Sequence, residues 1–380
     1  MQAGLGSFYS WSVFREPLSS LYGANITRVN VAFFLASFVF TIAAFGGGLL
    51  VRRVGPRAVG IAGGILYGLG VFLSSFAGES LPLLYLTYGV VVGVGLGFGY
   101  IAPIAALPAW FPDRPGLAYG LAVCGFGAGS VINVPVAEAL ISATGGPLQA
   151  FGILGLAYAV LIGGAATLVR DAPREQRPAG RDKDAVERSW GFRGAVRTWQ
   201  WYALWAIFFL NVSAGLAIIS DAKAIAASLG GASATLASAF VVMVAVADTT
   251  GRLLWPALSD RIGQSAVFLA IFLLQAAAFS LLPLLGPLSF AAFCALSFVA
   301  LTCYGGGYGT MPALVSAYYG SGDVSTIYAS IMSASGVAGF GAPLLLALTA
   351  DATGSYGPAL YATAALMLVG AAVSLVLRPP

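Results

Sequence analysis

The chain has 380 residues, of which 59% are hydrophobic and 8% are charged, and its formal net charge is +4. Soluble domains average about one-quarter charged residues, so this composition excludes an ordinary soluble protein. Together with a mean hydropathy of +0.90, it predicts an all-α polytopic membrane protein.

Apolar segments long enough to cross a bilayer recur along the whole chain. A membrane helix needs about 20 residues to cross roughly 30 Å of hydrocarbon. We therefore predict twelve transmembrane helices, at about residues 1–22, 29–51, 58–78, 82–108, 117–142, 147–169, 199–222, 234–257, 265–285, 288–312, 325–350 and 357–377.

A polar segment at 170–198 separates the sixth span from the seventh. It carries 13 of the 32 charged residues, and eight of those 13 are basic. We read it as a linker between an N-terminal six-helix bundle at 1–169 and a C-terminal six-helix bundle at 199–380. Threading the spans alternately puts these basic residues on the same side as most other arginines, which the positive-inside rule assigns to the cytoplasm.

This topology predicts a multi-pass protein of the cell (inner) membrane, with the linker and both termini cytoplasmic. The basic charge then reflects topology, so we expect a lipid bilayer around the chain and no nucleic-acid partner. The cysteines Cys124, Cys294 and Cys303 lie inside spans without metal-like spacing, so neither a disulfide nor a metal site is indicated. No cofactor is expected.

The two halves share features at one constant offset of 208 residues. A single offset across several spans predicts two repeated bundles, a common transporter design that holds the substrate near the membrane midplane. The coincident pairs are Arg53 with Arg261, Gly55 with Gly263, Tyr100 with Tyr308, Trp110-Phe111 with Tyr318-Tyr319, and Pro135 with Pro343.

The first span looks short beside its counterpart. The triplet AGL occurs at 3–5 and again at 214–216, where a helical stretch precedes it from about Trp201. Because a full crossing needs about 20 residues, we expect the first helix to be truncated by roughly ten residues at its cytoplasmic end.

The eighth span places two full charges in an apolar segment. Asp248 and Arg252 are four residues apart, so on a helix they share one face and are close enough to pair. Charged residues in mid-membrane are costly, and they usually face the bundle interior and mark transport paths. The alternative is a static ion pair that only fixes the packing of the span.

Two segments resemble the loop signature of the major facilitator superfamily: GGLLVRRVGPR at 47–57 and, more weakly, PALSDRIG at 256–263. The resemblance implies the major facilitator fold, with two six-helix bundles and transport by alternating access. It also implies a conformational role for the matching residues, which are Gly48, Arg53, Gly55, Arg57, Asp260 and Arg261.

Further segments resemble the oxalate:formate antiporter family and the related monocarboxylate transporters. They are GSFYSWSVFREPL, AWFPDRPGLAYG, SAGLAIIS, TGRLLWPALSDRIG and TIYASIMSASGVAGFGAP. This resemblance implies that Arg252 binds a carboxylate and that Asp248 carries a proton, so we predict secondary active symport of small monocarboxylates such as lactate or pyruvate with a proton.

The chain departs from these families at two positions. Arg52 stands where the loop signature has an acidic residue, which questions a charge lock in the first half. Ser335 stands where oxalate carriers have a second cation, a lysine, and a single cation suits a single carboxylate. The alternative function is proton-independent exchange of organic anions, as in the oxalate:formate type.

Tyrosines complete the predicted substrate site. Tyr100, Tyr304 and Tyr308 lie in glycine-rich spans, where their hydroxyls could bond the second carboxylate oxygen, and family resemblance implies substrate-lining tyrosines there. Packing is the alternative for each of them. Tyr9 in the first span is a further candidate, although an interfacial aromatic belt explains it equally well.

An enzyme is not expected. The sequence SASG at 333–336 resembles part of an intramembrane serine protease motif, but the chain has no histidine to act as a base. An anion sensor that does not transport stays open. We expect a monomer, and Glu138 is a minor candidate for proton relay.

Overall fold

The computed structural model describes residues 1–170, 190–220, 222–320 and 322–380, and all regular elements in those ranges are helical. Most of the predicted linker, at 171–189, lies outside the described residues. The chain forms two compact units. Unit 1 consists of Met1–Asp113, Gly125–Lys183 and Asp323–Ser330, and unit 2 consists of Arg114–Cys124, Asp184–Gly322 and Ile331–Pro380.

The helices of the first part of the chain follow the predicted spans. They are α1 (Gln2–Leu5), α2 (Trp11–Tyr22), α3 (Ile26–Ser74), α4 (Leu81–Leu84), α5 (Gly93–Ala106), α6 (Pro115–Thr144) and α7 (Pro147–Ala166). A 3₁₀ turn at Gly6–Ser10 joins α1 to α2, and a π-helical segment at Tyr85–Val92 joins α4 to α5.

The helices of the second part continue this pattern. They are α8 (Phe192–Ala195), α9 (Trp199–Ile219), α10 (Ala222–Gly230), α11 (Ala234–Ile262), α12 (Gln264–Leu285), α13 (Phe290–Tyr319), α14 (Val324–Ile331), α15 (Ser333–Thr353) and α16 (Gly357–Val376).

Within the described ranges, nine helical stretches are long and apolar enough to cross a membrane. One of them, α3, comprises predicted spans 2 and 3, which are separated by the non-helical backbone of Gly55 at φ 82° and ψ 161°. The remaining predicted spans, 1 and 11, are each broken, span 1 by the 3₁₀ turn and span 11 at Met332. The twelve-helix prediction is thereby accounted for.

The predicted end of span 10 was wrong. We expected span 10 to end at residue 312, but α13 continues to Tyr319 with Pro312 inside it. Proline is tolerated inside membrane helices because neighbouring groups satisfy the freed backbone carbonyl. The extra two turns place Tyr318 and Tyr319 at the end of the helix.

The turn geometry repeats with the same offset as the sequence. Gly55 and its counterpart Gly263 both have positive φ, 82° and 89°, which a residue with a side chain adopts only with strain. Asn25 and Ser233 both cap the helix that follows them, because each side-chain oxygen accepts a bond from a backbone N–H three residues later. The same local chemistry therefore starts α3 and α11.

Candidate functional site

The charged pair of α11 is buried in unit 2. Asp248 is 7% exposed and Arg252 is 1% exposed, and the helix around them is apolar on both sides. Ser233 fixes the start of this helix, and its regular backbone then puts residues 248 and 252 on one face.

The two side chains form an ion pair. Nε of Arg252 donates to both carboxylate oxygens of Asp248, at 2.9 Å to Oδ1 and 3.0 Å to Oδ2. Both bonds use one donor, so the pairing differs from the parallel two-nitrogen fork that a guanidinium can offer a carboxylate. In a low dielectric each partner stabilises the charge of the other.

The ring of Tyr308 in α13 lies over the guanidinium, and further aromatic rings from α13 and α9 pack against Tyr308. Its Cζ lies 4.8 Å from the centroid of the Tyr308 ring, a cation–π distance. Tyr304 packs edge-on against Tyr308 at 5.4 Å, and Phe208 of α9 packs against Tyr308 at 5.0 Å. The structure thus brings Asp248, Arg252, Tyr304 and Tyr308 together within unit 2.

Glycines of α13 make this close approach possible. A Cβ added at Gly305 would lie 2.8 Å from Oδ1 of Asp248, and one added at Gly309 would lie 2.5 Å from the carbonyl oxygen of Arg252. Small residues let membrane helices approach closely. The glycines of the stretch CYGGGYG therefore let α13 pack directly against the ion pair.

Two buried amides that pack against α13 were missed by the sequence analysis. Nδ2 of Asn211 donates to Oε1 of Gln275 at 3.3 Å and to the carbonyl oxygen of Cys303 at 3.1 Å. Nε2 of Gln275 donates to the carbonyl oxygen of Ala300 at 3.3 Å. The available signal was a neutral amide in the middle of each of two apolar spans, which hydropathy hardly registers.

The other predicted substrate residues lie in unit 1. Tyr9 is half-buried and Tyr100 is 1% exposed. Both pack edge-on against Phe126, at 5.2 Å and 5.5 Å between ring centroids. The hydroxyls of Tyr100 and Tyr328 are 3.2 Å apart, so a tyrosine from α14 joins this aromatic cluster.

The first loop signature packs against α14 in unit 1. A Cβ added at Gly48 would lie 2.9 Å from Cα of Thr326. Nη1 of Arg52 lies 2.7 Å from Oδ1 of Asp323, which directly precedes α14. Arg52 replaces the acidic residue of the signature, and its own partner is an acidic residue, Asp323. Arg53 and Arg57 are exposed.

The second loop signature lies in about the last two turns of α11 and its cap at Gly263, rather than in a loop. Asp260 accepts hydrogen bonds from the backbone N–H groups of Gly116, at 2.7 Å, and Leu117, at 2.9 Å. These groups are at the start of α6, where a helix carries unpaired donors and partial positive charge. Arg261 is exposed.

Other features lie apart from this arrangement. Ser335 is half-buried and donates to the carbonyl oxygen of Met332 at 2.7 Å, while Glu138 is exposed. Among the described residues, no group of three or more metal-ligating side chains occurs. A cavity of about 680 Å³ between Leu107, Trp110 and Arg170 in unit 1 contains none of the predicted site residues.

Comparison with known families agrees with this fold. The family model described as Major Facilitator Superfamily matches residues 1–221, and the model described as MFS/sugar transport protein matches residues 118–348. The chain belongs to the major facilitator superfamily. It is a multi-pass membrane transporter and not an enzyme.

Three relatives align over most of the chain. The MFS-type transporter YhjX of Escherichia coli, itself uncharacterised, is 32% identical over 339 residues, 88% of this chain and 82% of YhjX. The oxalate:formate antiporter of Oxalobacter formigenes is 29% identical over 321 residues, 83% of this chain and 74% of the antiporter. Apicoplast pyruvate carrier 1 of Toxoplasma gondii is 24% identical over 372 residues, 82% of this chain and 68% of the carrier.

A solved structure shows the same fold. The fucose:proton symporter FucP of Escherichia coli superposes with a TM-score of 0.71 over 100% of this chain and 98% of that chain, at 18% sequence identity. The predicted twelve-helix major facilitator fold is confirmed.

Proposed function

We propose that this superfamily member is a proton-coupled symporter of small monocarboxylates, such as lactate or pyruvate, that works by alternating access. The observation that carries the proposal is the buried Asp248–Arg252 pair beneath the Tyr308 ring. A pyruvate carrier among the relatives supports the substrate class. We place the protein in the cell (inner) membrane as a monomer, with both termini cytoplasmic.

Substrate binding uses Arg252. Its guanidinium stays protonated at any physiological pH and can offer a carboxylate two parallel hydrogen bonds. In the empty carrier Asp248 occupies Nε, and an entering carboxylate replaces it as the anionic partner. Tyr304 and Tyr308 of α13 supply hydroxyls for the rest of the substrate. Tyr100 and Tyr9 of unit 1 stay predicted substrate residues.

Proton coupling uses Asp248. Once the substrate carboxylate has taken Arg252, the released Asp248 has lost the cation that stabilised its charge, so it takes up a proton. The empty site holds one cation and one anion, and the loaded site holds one cation, one anion and a neutral acid. Because both forms have the same net charge, the membrane potential opposes neither crossing.

A second candidate is proton-independent exchange of organic anions, which the oxalate:formate antiporter among the relatives favours. In that case Asp248 stays ionised and Arg252 serves two anions in turn. The single buried cation of the α11 pair, with Ser335 where a second would stand, favours a monocarboxylate over oxalate.

Uptake into proteoliposomes separates the two. Labelled pyruvate, lactate and oxalate are supplied with and without an inward proton gradient, and each is also tested for counterflow against internal unlabelled anion. Symport predicts that pyruvate or lactate accumulates only with the gradient. Counterflow without any gradient-driven accumulation indicates the exchanger, and binding without counterflow indicates a sensor.

A further inference from the structure

Two neutral amides lie deep inside unit 2, on helices that carry no charge nearby. Asn211 of α9 and Gln275 of α12 are both 0% exposed, and they bond to each other and to α13. Amides in apolar surroundings need partners, because an unpaired buried polar group is strongly unfavourable. Two apolar side chains of similar size would fill this space without that requirement, so packing alone does not call for amides.

The amides hold one particular turn of α13. Asn211 donates to the carbonyl oxygen of Cys303 and Gln275 donates to that of Ala300, three residues earlier on the same face. Two donors from two different helices restrict both rotation and sliding of this turn. Since a helix turns about 100° per residue, Gly305 lies about 200° around the helix from Cys303, on the far side.

That far side faces the ion pair. Gly305 lies against the Asp248 carboxylate, and Tyr308, one turn further along, lies over the Arg252 guanidinium. A rotation of α13 that released the Cys303 and Ala300 carbonyls would therefore move both contacts together. The amides and the charges are on opposite sides of one helix and are coupled by its rigidity.

We propose that Asn211 and Gln275 are positioning residues that set the rotation of α13, and with it the anion affinity of Arg252. This proposal rests on the proposed function only in taking Arg252 as the anion site. Neither amide touches the substrate. Their effect is transmitted through Gly305 and Tyr308.

A double-mutant cycle tests the proposal. In Asn211→Leu or Gln275→Leu alone, the remaining buried amide loses its bond to the other amide and one of the two bonds to α13 is lost, so both the melting temperature and the anion affinity fall. In the double variant no amide is left, and removing both partners of a buried hydrogen bond can be nearly neutral for stability. We expect its melting temperature to return to within a few degrees of wild type, while the dissociation constants for pyruvate and oxalate stay at least fivefold higher.

The control is Gln200→Leu. Gln200 is a second buried amide of α9, and it donates to the carbonyl oxygen of Arg378 instead. We expect this variant to lower the melting temperature without changing either dissociation constant. A double variant that regains both stability and affinity would show that the amides only pack, and would overturn the proposal.

A second variant covers the case in which the double leucine variant does not fold. Exchanging the residues, Asn211→Gln with Gln275→Asn, keeps both amides but moves each by one methylene. Affinity should again fall at least fivefold, and unchanged affinity would also overturn the proposal. If the wild-type protein binds oxalate but not pyruvate, the proposed function is wrong. The positioning proposal can then still be tested with the dissociation constant for oxalate.

Discussion

Arg252 is the residue on which proposed substrate binding depends, and its shape matters as well as its charge. Arg252→Lys keeps the cation but removes the planar fork. A charge-assisted hydrogen bond contributes about 1.5–3 kcal/mol, so losing one weakens binding by about 10- to 100-fold. Uptake of labelled pyruvate in proteoliposomes measures this loss of binding. If the lysine variant takes up pyruvate at the wild-type rate, Arg252 does not bind the substrate.

Asp248 carries the proposed proton, and its amide variant separates exchange from accumulation. Asp248→Asn keeps the shape but cannot ionise, so it imitates the protonated acid of the loaded carrier. A loaded carrier that swaps one carboxylate for another never returns empty. We therefore expect counterflow to persist while uptake driven by an imposed proton gradient is abolished.

The control for this variant is Glu138→Gln, which neutralises an exposed acid of α6. It should leave both counterflow and gradient-driven uptake unchanged. If Asp248→Asn still concentrates pyruvate in response to the gradient, the proton travels elsewhere and Glu138 becomes the next carrier to test.

Some of these residue pairs can be predicted from the sequence alone, and others cannot. Asp248 and Arg252 could be paired without a structure, because charges inside an apolar span are rare and a helix fixes their spacing. Their contact is local. Asn211 and Gln275 are neutral, and Arg52 meets Asp323 from 271 positions away, so neither pairing has a local signature.

At the scale of helices, an ion pair between Arg52 and Asp323 joins the first loop signature to the start of α14. Arg52 is largely exposed whereas Asp323 is buried, and both lie in unit 1. In the proposed alternating-access cycle, parts of the molecule rock against one another. We expect the Arg52–Asp323 pair to break and reform during that cycle.

Charge exchange tests this pair. Arg52→Asp alone puts two acids together, and Asp323→Arg alone puts two bases together, so each should slow pyruvate uptake. The double variant restores opposite charges and should recover most of the rate. A partly exposed pair contributes up to about 1 kcal/mol, so the recovery should be about fivefold. A double variant as slow as the singles would show that the pair has no part in the cycle.

Helix positions were predictable to the extent that hydropathy determines them. Spans long enough to cross the bilayer have an unmistakable composition, and predicted and observed starts differ by only a few residues. Breaks within spans were not predicted. Hydropathy does not distinguish the interruption at Met332 or the 3₁₀ turn at Gly6–Ser10 from the apolar residues around them.

For the whole molecule, the repeat explains why the two loop signatures could diverge. Both keep a glycine of positive φ at the same offset, since the turn requires it, yet their charges contact different partners. Arg52 bonds a carboxylate, and Asp260 bonds the N-terminus of α6. The backbone geometry of the repeat is thus preserved while each copy has its own electrostatic contact.

The orientation of the molecule decides which way a proton gradient drives it, and two acids at the ends of one span report it. Glu79 precedes α4 and Asp113 follows α5, and both are exposed. The positive-inside rule puts Glu79 outside the cell and Asp113 in the cytoplasm. With the three native cysteines replaced by alanine, Glu79→Cys should react with a membrane-impermeant maleimide in intact cells, and Asp113→Cys only after permeabilisation. The reverse pattern would place the basic linker outside, and the inward proton gradient would then meet the opposite face of the carrier.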